Sequence, residues 1–182
     1  MKIWTGDKAA PHFPQGCAVT IGNFDGVHIG HKHILESLKK EAGQRGLATV
    51  LLTFETSRKE FLACKCSDNT LSLRVTSLQD KLKLLVEINC LDGIWILPFN
   101  QHLASVSAQE FVHQVLLRTL DVRFLLIGDD FCFGADRKGD IALLKQQKYF
   151  ETQAMPSILV QDRRASSSDI RMALQQGDFE RA

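Results

Sequence analysis

The chain has 182 residues, 45% hydrophobic and 24% charged, which suits one domain with a substantial core. A formal net charge of +1 argues against an extended electrostatic footprint for nucleic acid, and no apolar run approaches the ~20 residues that a membrane span needs. Residues 1–16 lack the apolar core of a secretory signal and the five cysteines are scattered and odd in number, so a cytoplasmic protein with reduced cysteines is expected.

In chain order, residues 1–16 read as an irregular lead-in carrying Pro11 and Pro14, with a short extended piece at Lys2 to Trp4. Cys17 to Ile21 is an apolar run read as a buried strand, broken by Gly22 and Gly26, and a helical pattern runs from Ile29 to Arg45 until Gly46 stops it. Leu47 to Phe54 has the near-continuous apolarity of a parallel strand covered on both faces. Glu55 to Arg74 is a long polar loop, and its Cys64 and Cys66 stand too close together for a zinc-knuckle pair. A helix over Ser77 to Asn89 follows, with Thr76 as its expected cap and Leu78, Leu82, Leu85 and Val86 at helical spacing. Gly93 to Leu97 is the third strand. Ser107 and Glu110 form a capping box for a helix reaching Leu120. Val122 to Ile127 is a fourth buried strand. A helix over Ile141 to Tyr149, a fifth strand over Ser157 to Gln161 and a helix from Ser168, capped by Ser167 or Ser168, close the pattern. Strands alternating with helices predict an α/β fold, a Rossmann-like parallel sheet with helices on both faces.

Three loops at expected strand ends carry the chemistry. Gly22-Asn23-Phe24-Asp25-Gly26-Val27-His28-Ile29-Gly30-His31 runs from a strand through glycines into a helix N-terminus, where backbone N–H groups and the helix dipole favour an anion. His28 and His31 share a face once the helix has begun, and two imidazoles there can donate to phosphate oxygens. Gly128-Asp129-Asp130-Phe131-Cys132-Phe133-Gly134 offers aromatic rings for a planar ligand. Ser166-Ser167-Ser168-Asp169-Ile170-Arg171 offers hydroxyls, a helix start and a guanidinium fork, which suit a triphosphate. His12, His33, His102 and His113 have no partner at ligand spacing, and no metal-ligand set is identified.

The first of these stretches resembles the signature of the bacterial bifunctional riboflavin kinase/FMN adenylyltransferase (FAD synthetase) family, whose adenylyltransferase module carries a His-x-Gly-His motif. Gly128 to Asp140 is similar to the family's aromatic stretch, with Cys132 where arginine is common. Ser166 to Arg171 resembles its Ser-Ser-Thr-x-Ile-Arg motif, with Ser168 in place of threonine. The resemblance runs over nearly the whole chain. It implies a nucleotidylyltransferase fold over residues 1–182 and transfer of AMP from ATP to FMN, giving FAD and pyrophosphate with Mg²⁺ assisting. It further implies catalytic roles for His28, His31 and Arg171, and ATP contacts from Gly22, Asn23, Phe24, Asp25, Gly30, Ser167 and Ser168. Flavin contacts are implied for Asp130, Phe131, Phe133 and Asn100.

Two departures from the family pattern stand out. The usual Pro-His-Pro is Thr56-Ser57-Arg58 here, and the chain ends about where the kinase module would begin, so kinase activity is not expected. Two other readings stay open: a transferase with another phosphate acceptor, such as phosphopantetheine, nicotinate mononucleotide or glycerol phosphate, and a binding module without useful catalysis. Oligomeric state is not legible in the sequence.

Overall fold

A computed structural model describes residues 1–6, 11–56, 61, 74–160 and 163–180. Strands β1 (Lys2–Thr5), β2 (Cys17–Ile21), β3 (Ala48–Phe54), β4 (Gly93–Leu97), β5 (Val122–Gly128) and β6 (Glu151–Met155) form one parallel sheet in the order β1-β4-β3-β2-β5-β6. Helix α1 (Ile29–Arg45) links β2 to β3, and α2 (Leu78–Ile88) precedes β4. The short α3 (Gln101–Ser105) follows β4, and α4 (Ala108–Glu110) continues directly as a π-helix over Phe111–Thr119 before β5. Helix α5 (Ile141–Lys145) precedes β6. A small antiparallel pair, β7 (Leu159–Val160) and β8 (Arg163–Arg164), leads to α6 (Ser167–Gln176).

The central strands are buried on both faces, which is why they read as continuous apolar runs. Cys17, Val19, Ile21, Val50, Leu52, Trp95 and Leu97 face a core shared with Val112, Leu116 and Leu120 of the π-helical segment. On the other face Leu51, Ile94 and Ile96 meet Leu35 of α1 and Leu85 of α2, while Ala18, Phe124 and Leu126 meet Leu38 and Ala42. The β2–β5 pairing shifts register between Cys17 and Ala18, which pair with Val122 and Phe124. The extra residue, Arg123, is thereby turned out to solvent beside Asp121. Burial also pushes the Cys17 thiol up to about 12, helped by the Asp121 charge, and its Sγ donates to the Leu120 carbonyl. It behaves as an inert core residue.

Several local expectations are corrected. The strand beside β5 is Glu151–Met155, ended by Pro156, whereas Leu159–Val160 lies in the separate two-stranded pair. The helix after Asp140 stops at Lys145, and the chain turns so that Phe150 is buried. Ser77, not Thr76, caps α2, and Ser166, not Ser167 or Ser168, caps α6. Val86 faces outward, 52% exposed, while Lys81 takes a buried position on the same helix. Ser57, Arg58, Cys64 and Cys66 lie outside the described residues.

Candidate active site

The sheet order changes direction between β2 and β5: from β2 the chain builds outward through β3 and β4, and it returns on the other side with β5. In open α/β sheets ligands bind at such a point, beyond the carboxyl ends of the strands. A cavity of about 550 Å³ opens there, walled by Ile21 and Gly22 after β2, Phe54 of β3, Gly128 of β5 and Met155 of β6. The N-termini of α1 and α6 both border it, through His28 and Gly30 and through Ser166 to Ser168. Along the whole cavity the Arg74, Lys81, Arg137 and Arg171 side chains outnumber the carboxylates of Asp25, Glu55 and Asp130, and the two helix dipoles make the end at α1 and α6 favour an anion.

The loop between β2 and α1 folds around a stack of three rings. Phe24, 3% exposed and held at φ 51°, stacks on His31 with centroids 4.4 Å apart; His31 in turn stacks on His28 at 3.7 Å. Gly30 makes that overlap feasible, since a Cβ there would sit 3.2 Å from the His28 ring. Burial first, then the charges of His28 and Lys81, push the His31 imidazole down to about 3, so it is neutral at physiological pH. Its buried Nδ1 has no hydrogen-bond partner among the described residues, and neither has Nε of Arg171. Buried polar atoms left over in a cavity wall are those a ligand would satisfy.

Asp25 is committed to the protein. Its carboxylate accepts from the Val75 and Thr76 amides at 3.0–3.1 Å and lies 3.6 Å from the Arg171 guanidinium. Ser167 Oγ donates to the Asp25 carbonyl at 2.8 Å, and the Gly26 amide donates to Thr76 Oγ1. Asp25 therefore joins three segments: the histidine loop, the approach to α2 and the start of α6.

Away from this end the wall becomes aromatic, with Phe54, Phe99, Phe111, Phe131 and Phe133. Phe131 and Phe133 are stacked 5.6 Å apart; Phe131 is half-buried, while Phe133 is 8% exposed and packs into the core against Phe111. Asp130 is at the exposed rim.

The structure thus brings His28, His31, Arg171, Gly22, Asn23, Phe24, Asp25, Gly30, Ser167, Ser168, Asp130, Phe131 and Phe133 to one cavity. It does not bring Asn100 there. That side chain caps α3 by accepting from the Leu103 amide, a local demand at a helix start. Sequence reasoning missed Lys81, whose Nζ donates to the Asn23 carbonyl, Thr53 Oγ1 and the Phe54 carbonyl at 3.0–3.2 Å. Its signal was present: Lys81 lies three residues after Leu78 and four before Leu85, on the apolar face of the helix.

A family model described as FAD synthetase matches residues 10–169. The bifunctional riboflavin kinase/FMN adenylyltransferase of Buchnera aphidicola (subsp. Schizaphis graminum) is 37% identical over an alignment that includes the whole chain and 58% of the relative. The Escherichia coli K12 protein of the same name is 36% identical over 96% of the chain and 55% of its own length. The chain thus spans rather more than half the length of these relatives. A Streptococcus pneumoniae crystal structure titled macrolide-efflux protein superposes with a TM-score of 0.80 at 27% identity, covering 92% of this chain and 55% of that one. Among the described residues, no helix is long and apolar enough to cross a membrane. With its match over residues 10–169 and identities above one third along its length, the chain belongs to the FAD synthetase family.

Proposed function

We propose that the chain is an FMN adenylyltransferase, moving AMP from ATP to FMN and releasing pyrophosphate. One observation carries the reading: a cavity runs from two helix N-termini, with His31 Nδ1 and Arg171 Nε buried and unsatisfied among the described residues, to an aromatic wall. The first end suits a triphosphate and the second a planar ring system. Of the two activities in the relatives' names, the site supports adenylyl transfer. We assign that activity to residues 1–182 as one unit, working in the reducing cytoplasm with Cys17, Cys90 and Cys132 as free thiols.

In this mechanism an FMN phosphate oxygen attacks the α-phosphorus of ATP, the new P–O bond forms, and the α–β bridge breaks as pyrophosphate leaves. No covalent enzyme intermediate is required, so the protein contributes positioning and charge stabilisation. His28 and His31 donate to the phosphate oxygens as their charge rises. Ser167, Ser168 and Arg171 at the start of α6 hold the β- and γ-phosphates, while Gly22, Asn23 and Gly30 shape the loop. Phe24 supports the imidazoles from beneath and Asp25 fixes the loop. Phe131 is the ring best placed to cover a flavin, with Phe133 behind it. No cluster of three or more His, Cys, Asp or Glu residues suited to a metal occurs among the described residues. Mg²⁺ is taken to enter with the substrate, as MgATP, because polyphosphate charge must be neutralised.

Incubating the purified protein with FMN, ATP and Mg²⁺ and scoring FAD and pyrophosphate together tests the reading. His28→Ala is expected to lower kcat by about 10²-fold while raising the KM for ATP far less, because its hydrogen bond strengthens in the transition state. Absence of both products, with ATP still bound, would turn attention to another phosphate acceptor.

A further inference from the structure

We propose that Lys81 is a positioning residue for this transfer, fastening the histidine loop to the carboxyl end of β3 so that the nucleotide and acceptor ends of the cavity keep a fixed separation. The inference rests on the adenylyl-transfer reading for its kinetic part and on geometry alone for the rest. Lys81 is 6% exposed, in the second turn of α2, and reaches across to the sheet. Its ammonium donates to three oxygens: the Asn23 carbonyl at 3.0 Å, Thr53 Oγ1 at 3.2 Å and the Phe54 carbonyl at 3.1 Å. Thr53 Oγ1 itself donates to the Asn23 carbonyl at 3.2 Å, closing a triangle.

The two carbonyls belong to the two sides of the site. Asn23 opens the loop that carries His28 and His31, and Phe54 is the first aromatic residue of the opposite wall, in edge contact with Phe99. Asn23 lies beyond the end of β2 at Ile21, and Phe54 is the last residue of β3, paired there with Leu97 of β4, so the lysine joins a loop carbonyl to the final carbonyl of a sheet strand. A neutral side chain would leave both without this donor in a part-buried place. A charged donor makes stronger hydrogen bonds than a neutral one and holds both strand ends at once. Lys81 acts through the main chain and not on substrate. An in-line displacement is sensitive to such placement, since a 1 Å error between reacting groups costs roughly 10²-fold in rate.

The test compares wild type with Lys81→Met, which keeps the stem length and removes the ammonium. Steady-state FAD formation should show kcat lowered by about 10²-fold with the KM values for ATP and FMN within about threefold. Hydrogen exchange of the ligand-free proteins should show faster exchange over residues 22–31 and 53–56, with β5 and β6 unchanged. In Lys81→Ala, n-propylammonium should restore part of kcat. Wild-type kcat in Lys81→Met, or faster exchange spread evenly over the whole sheet, would overturn the proposal. If Lys81→Met does not fold, Thr53→Val decides: a kcat loss at constant KM supports the triangle, and an unchanged kcat overturns it. If wild type makes no FAD, the functional reading fails, while the exchange experiment still decides whether Lys81 pins the two strand ends.

Discussion

The stacked Phe24, His31 and His28 rings should make the stability of the fold depend on acid. His31 is pushed down to about 3, by burial first and then by the charges of His28 and Lys81, whereas in the unfolded chain it titrates near its ordinary value of 6.5. Below about pH 6.5 the unfolded chain therefore binds a proton that the folded chain refuses, so stability falls as the pH drops from 6.5 towards 3. The slope from this one group is at most about 1.4 kcal/mol per pH unit. His31→Gln should flatten the loss of thermal stability between pH 6.5 and 5, a window above the range in which carboxylates titrate; equal slopes in both proteins would refute a buried neutral His31. The histidine pair was legible because its spacing and glycine are local features. Phe24 was read as a ligand contact, and it does line the cavity, but its burial and its stacking on His31 were not legible in a linear motif. Lys81 was hidden for a related reason: a lysine within a helix is usually solvated, and only its place on the apolar face marked it otherwise.

At the level of elements, Asp25 replaces what would otherwise be three independent loop ends. It satisfies the Val75 and Thr76 amides just before α2, pairs with Arg171 of α6, and its own carbonyl receives the Ser167 hydroxyl. Asp25→Ala should destabilise the protein by about 1–3 kcal/mol, the cost of leaving part-buried amides unsatisfied. It should also weaken ATP binding, because Arg171 and the start of α6 lose their anchor. Urea unfolding and ATP titration read the two effects separately, and wild-type values in both would show that the segments hold themselves. None of these links was visible in sequence, since Asp25 and Thr76 are 51 residues apart. The helix after the Ser107–Glu110 capping box was legible, but not its π-helical continuation, in which Thr119 Oγ1 donates to the Gln114 carbonyl five residues back and the wider turn keeps Phe111, Leu116 and Leu120 on the core. The edge strand β6, Glu-Thr-Gln-Ala-Met, was missed because it is covered less than the inner strands and lacks their apolar run, whereas Leu159–Val160 is apolar but pairs only with β8.

The whole molecule places the two ends of the cavity on different parts of one fold. The end with the two helix N-termini is built from the β2–α1 loop and α6, and the aromatic end from β3 and the segments after β4 and β5. That arrangement follows from the sheet order, because the reversal between β2 and β5 opens the crevice on which all these loops converge. The strand–helix alternation made the fold class and this shared edge readable in advance. The two ends should accordingly bind separately but adjacently. A non-hydrolysable α,β-methylene ATP at about 100 times its Kd should stabilise the fold by about 2.7 kcal/mol, a rise of roughly 5–10 °C in Tm for a domain of this size. FMN should add its own increment on top. Arg171→Ala should remove most of the ATP-analogue shift and leave that of FMN, and Phe131→Ala should do the reverse. Mutual displacement of the two ligands, with no additive shift at saturation, would mean that they compete for one place. A direct attack of FMN phosphate on bound ATP would then lack the ternary complex it needs.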